Sequence, residues 1–182
     1  MADAEIPTGC ATARLTVVTG GARSGKSRFA EGLVRATGRS AVYIATAEAW
    51  DDEMRARIDA HRTDRGEGWQ TVEAPLDLAG ALGRATADQT VLVDCATLWL
   101  TNAMLAERDI AMETDRLLAA LGDCRAPVVV VTNEVGWSIV PENALARRFR
   151  DEQGRLNQRL AAAAGRVALV VAGLPLWLKG GE

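Results

Sequence analysis

The segment Gly20-Gly21-Ala22-Arg23-Ser24-Gly25-Lys26-Ser27 matches the pattern G-x-x-x-x-G-K-[ST]. Glycines at these positions let backbone N–H groups converge on phosphate oxygens, and a helix opening at Lys26 would add the positive end of its dipole. Lys26 is then placed to reach the β and γ phosphates, and the Ser27 hydroxyl to ligate Mg²⁺. Such an ion needs a carboxylate at the end of a buried strand, and Val91-Leu92-Val93-Asp94 supplies one. Asp94 has a second reading, as a cap for the helix expected near Thr97. Ligands in open α/β sheets sit outside the carboxyl ends of the strands. That rule nominates Ala45-Thr46-Ala47 and Thr132-Asn133-Glu134-Val135-Gly136 as the rest of the rim.

His61 is the one histidine in the chain. Met54, Ile58 and His61 stand at i, i+4 and i+7 of a helical stretch, which puts the imidazole on its apolar stripe. A packed core histidine is one reading. The other is a nucleophile, because a neutral imidazole is competent for that role and Arg62 and Arg65 beside it could hold phosphates. The residues alone leave both open.

These groups need a scaffold. Apolar runs at residues 15–19, 41–45, 90–94, 128–132 and 167–171 are continuous and not alternating, as expected of strands buried on both faces of a parallel sheet. Helical stretches separate them at Lys26 to Ala36, Asp51 to Thr63, Leu76 to Ala85, Thr97 to Glu107, Thr114 to Leu121 and Glu142 to Ala164. Trp69 to Val72 reads as a further short strand. The fold expected is α/β and P-loop NTPase-like: one doubly wound, mostly parallel sheet flanked by helices. Leu145, Phe149, Leu156 and Leu160 mark the packing stripe of the last helix, and its arginines a solvated, salt-bridged face.

A chain of 182 residues suits one domain, expected at 15–182 after a disordered leader at 1–14. Net charge −3 and a pI near 5.3 exclude a broad basic face for nucleic acid. Cys10, Cys95 and Cys124 show no metal or redox spacing, which fits a reducing cytoplasm. Val167 to Leu178, the longest apolar stretch, is broken by Gly173 and Pro175 and is too short to span a bilayer.

With these strings assembled, the chain closely resembles the bifunctional adenosylcobinamide kinase and adenosylcobinamide-phosphate guanylyltransferase family of cobalamin biosynthesis. The resemblance runs from Leu15 to Lys179. It is carried by Thr19 to Arg28, Tyr43 to Ala47, Asp51 to Met54 with Arg57-Ile58 and His61-Arg62, Thr132 to Gly136 with Ile139 to Asn143, and Gly154 to Gln158. It implies phosphorylation of the aminopropanol hydroxyl of adenosylcobinamide by ATP or GTP, then transfer of GMP from GTP to that phosphate through a GMP-histidine. Carried over by motif, the histidine is His61. Ala45, Thr46 and Ala47, Arg62, Thr63, Asp64 and Arg65, and Glu73 are implied as GTP-binding positions; Glu73 also reads as the exposed end of a short strand. Homo-oligomeric assembly is implied too. Some relatives carry a second histidine just before the reactive one, where this chain has Ala60. Trp50, Trp99 and Trp137 are open to two uses, packing or an apolar surface for the corrin ring.

Two rivals remain at this level. One is a P-loop small-molecule kinase with no covalent nucleotide intermediate. The other is a regulatory GTP switch, against which stands the lack of an N-K-x-D guanine-reading string; the nearest is Thr132-Asn133-Glu134-Val135.

Overall fold

The structure is a computed structural model, and it describes residues 14–48, 52, 55–56, 63 and 65–181. Chain order begins β1 (Leu15–Gly20), α1 (Lys26–Arg35), β2 (Ser40–Ala45), β3 (Trp69–Glu73), α2 (Leu78–Gly83) and β4 (Gln89–Asp94). It continues α3 (Ala96–Leu105), α4 (Ile110–Asp123), β5 (Val128–Val131), α5 (Ala144–Ala163), β6 (Arg166–Val171) and β7 (Leu174–Lys179). Of the helix expected at Asp51 to Thr63, only Asp52, Arg55, Ala56 and Thr63 are described, and all are helical.

The strands form one sheet in the order β3-β2-β4-β5-β1-β6-β7, parallel except for the β6–β7 pair. β1, β4 and β5 are almost wholly buried, as their unbroken valine and leucine runs require of strands covered on both faces. Alternation then sorts side chains between two cores. Val91, Val93, Val128 and Val130 face the larger core with Leu82, Trp99, Leu117, Leu156 and Leu160. Leu92, Val129, Val131 and Val18 face the smaller core, under Ala30, Leu33 and Val34 of α1.

Three differences from expectation have physical causes. The stretch Val167 to Leu178 breaks at Gly173 as read, but it turns there with Ala172 (φ 51° for Ala172 and 81° for Gly173) and folds back as a hairpin, so that Pro175 stands inside β7 and does not break it. α4 starts a turn before Thr114 because the Asp109 side chain caps it, accepting from Met112 N at 3.1 Å. On α5, Leu156 and Leu160 are buried and Phe149 packs against the core, whereas Leu145 lies exposed on the first turn. The arginine face is salt-bridged as read, with Arg155 on Glu152 and Arg159 on Asp115. Among the described residues no helix is long and apolar enough to cross a membrane.

Candidate functional site: a phosphate cradle and its neighbours

β1 runs straight into the glycine-rich turn, and Lys26 and Ser27 are the first two residues of α1. Gly25 holds φ 93° at the helix N-cap, a conformation in which any other residue is strained. Gly20 is needed for another reason. A Cβ there would lie 2.5 Å from the Val170 carbonyl oxygen and 2.6 Å from Ser24 Oγ. The turn is supported from the side by the hairpin, because Gly173 N donates to Ser24 O at 2.9 Å. Lys26 Nζ folds back to Gly21 O at 3.0 Å. Ser24 Oγ is buried with no hydrogen-bond partner. A hydroxyl in that state costs about 1–3 kcal/mol unless a ligand satisfies it. The cradle therefore holds a buried polar group that the free protein leaves unused.

Asp94 ends β4 in register with Ala45 of β2, which is in register with Glu73 of β3. The three nominated positions form one row along the carboxyl edge. Because Leu92 faces α1, alternation puts Asp94 on the same side of the sheet as Ser27. The Tyr43 hydroxyl donates to Asp94 Oδ2 at 3.2 Å. Burial, and next the negative charge of Asp94, push the Tyr43 phenol well above its usual range, so it stays a donor. The donor set fits Mg²⁺: a hydroxyl and a carboxylate are hard oxygens. Among the described residues no three His, Cys, Asp or Glu side chains gather into a cage. An ion here would complete its shell from phosphate and water, as Mg²⁺ does.

On the other side of the cradle, β5 leads into the loop before α5. Glu134 N donates to Gly20 O at 3.1 Å, fixing this loop to the end of β1. The Glu134 carboxylate accepts through Oε1 from Thr19 Oγ1 at 3.2 Å and from Asn157 Nδ2 at 2.9 Å. Asn157 is itself held, since Thr132 Oγ1 and Gln153 Nε2 donate to its Oδ1 at 2.7 and 2.8 Å. A cleft of about 640 Å³ opens between the cradle and this loop, lined by Gly21 to Ser24, Glu134, Val135, Trp137 and the end of β6.

Other nominated residues lie apart from the cleft. Thr46 is fully buried, and its hydroxyl donates to Cys95 O and accepts from Cys95 N, both at 2.8 Å, tying the β2 and β4 ends together. Ala45 and Ala47 are half-buried beside it, and Glu73 is exposed. Arg65 is 5% exposed, its guanidinium 3.6 Å from the centre of the Tyr43 ring and donating to Thr71 Oγ1. Through Tyr43 it lies one contact from Asp94. Thr63 is exposed; His61, Arg62 and Asp64 lie outside the described residues. Trp99 is a core residue donating to Leu76 O, Trp137 is exposed at the cleft, and Trp50 lies outside the described residues. Sequence reasoning gave no role to Tyr43, Thr19, Gln153 or Asn157. The signal for the last two was a pair of amides at i and i+4 within the apolar stripe of α5.

The architecture is shared with the RadB recombinase structure, with a TM-score of 0.53 over 87% of this chain and 74% of that one. At 18% identity that likeness concerns the fold alone. Sequence similarity is far closer to two curated proteins. The bifunctional adenosylcobalamin biosynthesis protein CobP of Pseudomonas aeruginosa is 47% identical, covering 90% of this chain and 96% of its own. The bifunctional adenosylcobalamin biosynthesis protein CobU of Salmonella typhimurium is 46% identical, covering 91% and 99%. A family model described as cobinamide kinase / cobinamide phosphate guanyltransferase matches residues 16–178, cradle and Glu134 loop included. On that match and those identities, the chain belongs to the cobinamide kinase / cobinamide phosphate guanyltransferase family.

Proposed function

We propose that this protein phosphorylates the aminopropanol hydroxyl of adenosylcobinamide with ATP or GTP, then transfers GMP from GTP to the new phosphate with release of pyrophosphate. Family membership sets the two activities. The observation that carries the site is the cradle with its partnerless Ser24 hydroxyl. Main-chain amides from Gly20 to Lys26 hold the triphosphate, and Lys26 offsets the charge that builds on the transferred group. Mg²⁺, when held by Ser27 and Asp94, supplies a second positive charge across the phosphates. Tyr43 keeps the Asp94 carboxylate oriented by donating to it.

In the second reaction the imidazole of His61 attacks the α phosphorus of GTP. A P–N bond forms, the bond to the pyrophosphate oxygen breaks, and an oxygen of the acceptor phosphate then displaces the histidine. Ala45 to Ala47, Arg62, Thr63, Asp64, Arg65 and Glu73 are assigned to the guanine nucleotide. Direct use of Arg65 requires its guanidinium to leave the Tyr43 ring. Homo-oligomeric assembly belongs to the same reading and is checked by light scattering.

The test is incubation with α-labelled GTP followed by denaturation. Label that survives alkali, is lost in acid and is absent from His61→Ala supports the covalent route. Wild-type protein that transfers GMP to its acceptor yet retains no label in this trap refutes it.

A further inference from the structure

Phosphoryl transfer to an alcohol differs chemically from the GMP transfer that follows it. The alcohol must lose a proton as its oxygen bonds to phosphorus. The acceptor of GMP is a phosphate oxygen with no such proton to lose. A base is therefore needed in one reaction and not in the other.

Glu134 stands where that base belongs. It lines the cleft beside Gly21 and Ser24, and its amide is tied to Gly20 O. A carboxylate next to a phosphate cradle opposes binding of the anion, so local electrostatics alone do not explain it. Its position is nevertheless over-determined. Thr19 and Asn157 both donate to Oε1, and Asn157 is locked in turn by Thr132 and Gln153. Among the described residues, both hydrogen bonds the carboxylate accepts fall on that one oxygen. Oε2 remains for a ligand. The cleft continues from Glu134 to Val135 and the exposed ring of Trp137, an apolar wall suited to a large macrocycle carrying the alcohol.

We infer that this cleft is the acceptor subsite and that Glu134 is the catalytic base of the phosphorylation step, with Thr19 and Asn157 as its positioning residues. The inference rests on the function proposed above. The hydroxyl oxygen of the acceptor bonds to the γ phosphorus, the bond from that phosphorus to the β–γ bridging oxygen breaks, and the nucleoside diphosphate leaves. The O–H proton passes to Glu134 Oε2 and then to water.

The two activities are assayed separately, with cobinamide and ATP, and with cobinamide phosphate and GTP. Glu134→Gln is expected to lower kcat of phosphorylation by roughly 10²–10⁴-fold. It should leave GMP transfer within about threefold. Thr19→Val should lower phosphorylation kcat without raising the KM for ATP, and Thr19→Ser should restore it. Trp137→Ala should raise the KM for cobinamide and leave that for ATP unchanged. Should Glu134→Gln fail to fold, judged by its melt, Glu134→Asp decides by the same split between the two reactions. Equal loss of both activities, rescue by raised Mg²⁺, or phosphorylation within threefold of wild type overturns the inference. If wild-type protein phosphorylates no cobinamide, the proposed function fails instead.

Discussion

Replacing Ser24 by alanine should move stability and affinity in opposite directions. The Ser24 hydroxyl is buried without a partner in the free protein, so it contributes a desolvation cost of about 1–3 kcal/mol. Taking the low end, because the loop can relax, Ser24→Ala should stabilise the free protein by about 1 kcal/mol. For a chain of this size that raises Tm by roughly 2–4 °C. In the nucleotide complex proposed above, the same hydroxyl would donate to a charged phosphate, an interaction worth about 1.5–3 kcal/mol. Losing it should weaken Kd for ATP or GTP by roughly 10–150-fold, at about 1.4 kcal/mol per decade. Thermal melts without nucleotide and calorimetric titration with it measure the two quantities on the same samples. A lower melting point together with unchanged affinity would refute the claim that this hydroxyl is reserved for the ligand.

Gly20→Ala drives a Cβ to 2.5 Å from the Val170 carbonyl oxygen, part of a strand that cannot swing aside. It should destabilise by about 1–3 kcal/mol in denaturant and abolish calorimetric nucleotide binding. Burial, and next the charge of Asp94, push the Cys95 thiol up from 9.0 to about 12. The folded form thus stays protonated while the unfolded chain ionises. The stability this thiol contributes is complete below pH 9 and is lost as pH climbs from 9 to 12. Cys95→Ala should reduce the slope of stability against pH in that window by about 1.4 kcal/mol per unit, read from denaturant titrations; an unchanged slope contradicts the assignment.

The cradle was legible because its chemistry is written in residue types at fixed spacing, and the parallel strands because burial on both faces leaves unbroken apolar runs. The hairpin was hidden for the opposite reason. β7 alternates half-buried Pro175 and Trp177 with exposed Leu174, Leu176 and Leu178, so its apolar content mimics a buried run. Its turn places Ala172 at positive φ, where a turn signal would call for Asn or Gly. Tertiary placement also separated residues of one type: Trp99 fills the core while Trp137 stands at the cleft. Likewise Thr46, nominated from its place after β2, is wholly occupied in joining two strand ends. Polar networks such as Gln153–Asn157–Glu134 join positions distant in sequence, and single-chain periodicity carries no trace of their partners.

The central claim is that one phosphate cradle serves two successive transfers. The most direct measurement feeds purified protein with cobinamide, ATP and α-labelled GTP and separates the products by chromatography, for wild type and Lys26→Ala. The account predicts cobinamide phosphate first and labelled GDP-cobinamide after it, with both products lost in Lys26→Ala. Formation of either product at the wild-type rate by Lys26→Ala would contradict it.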